Sequence, residues 1–220
     1  METLHIQKIE TQRDALGALL WRNAESKALY RRVVGGLAWP RGNRPGALVA
    51  LVEHLHPQPG QDMRRVEVAA EFADADPGQL LRKASHWAET LHCRALMTDL
   101  SAPEMQLAFD YNDGRARLRL PQLDLGMPPA MNGSRDFAAY HRLMERRTRS
   151  IKTLFYGERS MVAREYNSRQ LQDFSRPVEN FPVVAAFLWA LGAIDLDAPT
   201  EAGVANLASR HRAADPVAGY

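Results

Sequence analysis

Asp99 is the residue of this chain best placed to do chemistry. It ends the short apolar segment "CRALMTD", Cys93 to Asp99, which reads as a strand buried on both faces. A carboxylate at a strand end is one part of the machinery that cleaves phosphodiesters with two metal ions. That chemistry needs acids from separate elements converging on one point, because ions ~4 Å apart must be bridged and neutralised. The natural companion strand is "VVGGLAW", Val33 to Trp39. Where an acid is needed it offers Ala38 and Trp39. The scaffold for such a site is present, but most of its carboxylates are missing. The competing role for Asp99 is that of a turn or cap residue ahead of Ser101.

Other reactive side chains are scattered. His54, His56, His86, His92, His141 and His211 form no "HExxH" pattern and no tight ligand cluster. In "EHLH", Glu53 to His56, the histidines stand at i and i+2, which share a face only on a strand; a charged strand end is the simpler reading. Cys93 is the lone cysteine. Intrachain disulfides and multi-cysteine zinc sites are excluded, and a reducing cytoplasm fits best. No "GxSxG" elbow and no "GxxxxGK[ST]" phosphate loop occurs. What does cluster is positive charge. Arg142, Arg146, Arg147, Arg149, Lys152, Arg159, Arg164 and Arg169 stand against Glu145, Glu158 and Glu165. Arg142, Arg146 and Arg149 fall at i, i+4 and i+7, on one helical face. Phosphate binding needs clustered cations rather than net charge. A solvated face whose arginine stems cover the core is the alternative.

The elements that must hold these groups follow from pattern. Leu16, Leu19, Leu20, Ala24, Ala28 and Leu29 have helical spacing and predict an amphipathic helix over Thr11 to Arg32. Two hairpin strands follow, Val33 to Trp39 and Gly46 to Glu53, joined by the turn "PRGNRPG". After the loop His56 to Asp62 comes a half-exposed strand, Arg64 to Phe72. Asp76 and Pro77 then open a helix reaching His92. Ser101 and Glu104 form a capping box over "SAPEMQLAFDY", and "RARLRL", Arg115 to Leu120, alternates as a further strand. A Pro/Gly/Met linker, Pro121 to Gly133, leads to helices at Asp136 to Phe155, Glu158 to Phe174 and Pro182 to Ile194.

The 220 residues carry 45% hydrophobic and 25% charged side chains with a net charge of +2, the composition of an ordinary globular protein. Met1 to Thr11 has no apolar core, so no signal peptide is expected there. The longest apolar run, Phe181 to Ile194, falls short of the ~20 residues a bilayer needs, so no membrane partner is expected.

Element order and motifs together resemble the ribonuclease H-like fold, in particular the nuclease domain of tailed-phage terminase large subunits. The resemblance spans Val33 to Ile194. "GLAWP", Gly36 to Pro40, matches the family's "G-x-D-W/P-G/A" first strand, with "PGALVALVE" as its partner. "MTDLSAP" matches the acid-ending fourth strand, and "RPVENFPVVAAFLWAL", Arg176 to Leu191, stands where "H-D-D-x-x-D-A-L-A-Y-A-L" opens the last helix. The resemblance implies an α/β fold, a mixed sheet of about five strands flanked by helices with a helical C-terminal part. It implies three regions: a helical arm (1–32), the domain itself (33–198) and a flexible tail (199–220). It also makes Asp99 and Glu179 the catalytic and metal-binding candidates for Mg or Mn. Two ions on these alone would leave about +4 poorly compensated, so one weak site or none is expected. The resemblance further implies nucleic acid, DNA above RNA, as partner through Arg142, Arg146, Arg149 and Lys152, with other phage packaging proteins nearby. Three readings stay open: a phage or prophage DNA-binding module with a degenerate site, an active nuclease drawing on Glu53, Asp99 and Asp110 or Asp113, and a protein-interaction domain.

Overall fold

Between Thr11 and Arg32 the chain forms strands and turns where its apolar spacing predicts helix. The computed structural model describes residues 2–4, 8–55, 64–127, 137–148, 151–154, 160–171 and 178–194. The chain opens with β1 (Glu2–Leu4), then a hairpin of β2 (Ile9–Arg13) and β3 (Leu19–Asn23), and runs into β4 (Leu29–Ala38). Turn chemistry overrides the spacing. Asp14 Oδ1 accepts from the N–H groups of Leu16 and Ala18, and Gly17 takes φ +83°. Asn23 Oδ1 accepts from Glu25 and Ser26, and Lys27 takes φ +61°. Side chains that bond their own backbone a few residues on favour turns over helix. Leu16 is 93% exposed as a result, so the spacing marked no buried stripe.

β5 (Gly46–His54) and β6 (Arg64–Asp74) continue antiparallel beside β4, the expected hairpin and its third strand. Crossover helix α1 (Pro77–Thr90) starts where expected: Asp76 accepts from the Gly78 N–H at 2.7 Å and Pro77 fills the first turn. β7 (Ala95–Thr98) then returns parallel to β4, with Gly35 opposite Leu96 and Leu37 opposite Thr98.

The "RARLRL" strand does not form. α2 (Met105–Arg117) runs through Gly114 instead and stops at Arg119, which adopts φ +55°. Leu120 N–H bonds the Arg115 carbonyl and Arg119 N–H bonds that of Ala116, a Schellman closure built on an arginine. The alternation reflected a helix end: Leu118 and Leu120 are exposed while Arg115 is buried against Glu89 at 2.9 Å. β8 (Asp124–Gly126), inside the expected linker, pairs parallel with β7. The helix expected over Asp136 to Phe155 is α3 (Phe137–Arg147) followed by β9 (Ile151–Leu154), parallel to β6. α4 (Met161–Leu171), a 3-10 turn (Val178–Asn180) and α5 (Pro182–Ala193) complete the described elements. The expected loop His56 to Asp62 and the tail 199–220 lie outside the described residues.

Among the described residues, nine strands join one sheet, in the order β1-β6-β5-β4-β3-β2, with β7 and β8 beside the second half of β4 and β9 beside the start of β6. The sheet is therefore wider than the five strands expected. Residues 9–23 belong to it rather than to a helical arm. The architecture is α/β, with α3, α4 and α5 on one face and α1 and α2 on the other. β5 shows why: Ala47, Val49 and Leu51 enter the first core, and Leu48, Ala50 and Val52 the second. Among the described residues no helix is long and apolar enough to cross a membrane.

Two local features set what the sheet can hold. A Cβ on Gly36 would collide with the Ala186 carbonyl, so glycine is what seats α5 directly on β4. In β6, Ala70 opposes Ala50 but Val68 opposes Leu51, leaving Ala69 without an opposite residue. This bulge inverts the alternation beyond it. Glu71 therefore lies opposite Val49, on the α4–α5 face.

Candidate functional site

Because β4 and β7 run parallel and in register, their ends lie side by side. Ala38 follows Leu37, and Asp99 follows Thr98, whose hydroxyl donates to the Leu37 carbonyl at 2.8 Å. The N-terminal half of α5 and the inner face of α3 reach the same edge. A crevice results, lined by Ala38, Arg41, Arg44, Asp99, His141 and Trp189 among others.

Asp99 is only 7% exposed, and both its oxygens are engaged. Oδ1 accepts from the Ser101 N–H at 2.9 Å and from the Ser101 hydroxyl at 2.6 Å. Oδ2 takes Arg41 Nη2 at 3.2 Å. Ser101 therefore closes a turn onto Asp99, and the side chain of Glu104 makes no cap hydrogen bond, so the expected capping box is absent. Ala38 contributes no ligand. Glu179 stands in the 3-10 turn that brings Asn180 to Arg44, so its backbone belongs to this edge; its side chain lies outside the described residues. Among the described residues, no three His, Cys, Asp or Glu side chains gather as an ion would require. Asp99 with a guanidinium on one oxygen and a turn on the other does not fit a two-metal centre.

The alternative acids do not converge on it. Glu53 is buried on β5 opposite Arg32, which it meets at 3.7 Å. From Arg32 to Leu37 along β4 is about 16 Å of strand, so Glu53 lies toward the far end of the sheet. Asp110 and Asp113 are exposed on α2, bonded to Gln106 and Arg117. His54 is bound to Glu67 at 2.9 Å and lies edge-on to Tyr30. Cys93 is buried just ahead of β7, and burial pushes its thiol up to about 12, which makes it inert.

The basic stretch divides. Arg142 and Arg146 are exposed on one face of α3, while Tyr140, His141 and Met144 are buried on the other. Arg149 lies outside the described residues, as does the side chain of Lys152 on β9. Arg169 leaves the set: it is buried, pairs with Glu145 across α3 and α4, and lies over the Phe181 ring.

Sequence reasoning missed Arg41, Arg44 and the place of His141 in the crevice lining. The signal was legible in "RGNR": two residues flanking a two-residue turn oppose each other and share a face. It also missed two acids on the α4–α5 face of the sheet. Glu71 accepts from the Ser160 hydroxyl at 2.7 Å and from the N–H groups of Met161 and Val162, both at 2.9 Å, which caps α4. Glu165 accepts from Val184 N–H at 2.8 Å at the start of α5. Burial pushes the Glu165 carboxyl up to about 7; its bonds to Val184 and Val183 oppose the rise and nearby Glu71 adds to it. Glu165 lines a shallow groove that shares Pro45 and Pro182 with the crevice.

No protein-family model matches this chain, and neither does any curated protein or solved structure.

Proposed function

We propose that this chain is a ribonuclease H-like domain, akin to terminase nuclease domains, that binds DNA without cutting it. The fold part of the reading draws on the run β6-β5-β4-β7-β8, three antiparallel strands followed by two parallel ones, with α1 as the crossover. The observation that carries the function is the charge at the edge where β4 and β7 end. Cations collect where a nuclease gathers acids: Arg41 on Asp99, Arg44 beside it, and Arg142 and Arg146 exposed on the helix whose buried face supplies His141. A polyanion is the ligand such a surface attracts. A packaging protein of phage origin is the accompanying partner.

The test has two arms. Binding of the chain to duplex DNA in EDTA should weaken steeply with salt. Replacing Arg142, Arg146 and Arg149 together by Ala should flatten the log–log slope by up to about three phosphates' worth, ~0.9 each, equally across sequences. Plasmid DNA in Mn²⁺ should stay uncut. Robust nicking abolished by Asp99→Asn would mean an active nuclease. No binding at low salt would leave the arginines as ordinary surface.

A further inference from the structure

Arg41 and Arg44 exchange both main-chain hydrogen bonds across their turn, N–H to carbonyl at 3.2 and 3.1 Å, with Gly42 at φ +58°. Glycine with positive φ at the first central position is what a two-residue II′ hairpin turn requires. Residues paired in this way project their side chains from one face a few ångströms apart. Two cations held opposite each other repel, and a fold keeps such a pair at a cost unless an anion sits between them. Among the described residues only one carboxylate answers them. Asp99 meets Arg41 through a single guanidinium nitrogen, and Arg41 remains 54% exposed. The described partner of Arg44 is the neutral side-chain oxygen of Asn180. The local charge is therefore positive, over a crevice whose floor includes buried His141 and Trp189.

We propose that Arg41 and Arg44 form a clamp for one phosphate group of a polynucleotide backbone, and that Asp99 is the internal competitor this phosphate displaces from Arg41. A guanidinium binds phosphate through parallel N–H bonds that are stronger and better directed than one exposed contact to a carboxylate. With two arginines lining one crevice, the exchange favours the phosphate. Asp99 keeps its bonds to Ser101 throughout, so displacement costs no turn. The guanidinium of Arg41 thus stands in for a metal ion: it supplies positive charge to the phosphate without activating a water to attack it. That the phosphate belongs to a polynucleotide rests on the DNA-binding reading above, since Arg142 and Arg146 supply neighbouring contacts.

The experiment is fluorescence anisotropy of the full chain with a labelled duplex and a labelled single strand in EDTA. In parallel, melting curves are recorded with and without inorganic phosphate. The double variant Arg41→Gln/Arg44→Gln should bind at least roughly tenfold more weakly, with the salt slope reduced by about 0.9 for one lost phosphate. Asp99→Asn should bind roughly two- to fivefold more tightly, the worth of one released exposed ion pair. Asparagine can still accept from Ser101, so the turn survives. The sign of the Asp99→Asn effect is decisive: weaker binding would make Asp99 a ligand and overturn the proposal, as would a double variant that melts and binds like the parent. If DNA binds but Arg41 and Arg44 do not matter, the clamp fails and the DNA reading stands. If the parent binds no DNA, yet phosphate raises its melting temperature only when Arg41 and Arg44 are present, the DNA reading fails and the phosphate clamp stands. No such rise overturns both.

Discussion

The acids on the α4–α5 side of the sheet, buried Glu71 and half-buried Glu165, and the buried acid at the end of β7 are committed to different kinds of donor. Glu71 and Glu165 accept from backbone N–H groups at the first turns of α4 and α5, donors that have no partner within their own helix. Asp99 accepts from a turn on one oxygen and from a half-exposed arginine on the other. A backbone donor cannot leave without unwinding a helix, whereas a guanidinium can swing away. The first arrangement stabilises structure, and the second leaves a charge that can be exchanged. The contrast separates two acids that hold helix ends in place from the one acid that lines the crevice.

The largest expected effect is on the structural side. Glu71→Ala should destabilise the fold by about 4 kcal/mol, because the Ser160 hydroxyl and two buried N–H groups lose their acceptor at once. Urea denaturation measures this, and a loss below about 1 kcal/mol would dissolve the distinction. Glu165 should come next, through pH. Its carboxyl titrates near 7 when folded against an ordinary value of 4.5, so the folded state holds the proton more tightly. Stability should therefore be full below about pH 4.5 and fall as pH rises through 7, by about 2 kcal/mol after allowing for partial exposure. Glu165→Gln should remove that slope; an unchanged slope would assign it to another group. The smallest effect should be that of Asp99→Asn on stability, under about 1 kcal/mol. High salt should shrink it further while leaving the Glu71 deficit intact.

What could be read from residues alone divides along similar lines. The hairpin β4–β5, the cap at Asp76 and the parallel return of β7 were legible because strand hydrophobicity and a Pro at the helix start are local signals. The N-terminal hairpin was misread because six apolar residues at helical spacing outweighed Asp14 and Asn23, whose side chains bond the backbone and decide the turns. The bulge at Ala69 left only a stutter, "VAAEF", in an otherwise alternating strand. Without it Glu71 would be assigned to the wrong face. At the site, Asp99 and Ala38 were found, since strand ends can be counted. Arg41 and Arg44 were hidden inside a turn judged by its prolines and glycines. Their pairing depends on turn geometry, and the link of Arg41 to Asp99 joins residues 58 apart.

Gly36 and Ala186, whose close packing seats α5 on β4, lie about 150 residues apart. A ribosome adding roughly 5–20 residues per second needs about 8–30 s to produce the second after the first. Throughout that interval Val34, Ala38, Val49 and Leu51 belong to a hairpin with one bare apolar side. The last of the described helices is thus a cover for β4 and β5, a long-range closure of the kind that slows folding and invites wrong partners. The nascent chain spends its most vulnerable seconds waiting for residues 182–194, and fragments ending before them should be far more prone to aggregate than the full chain.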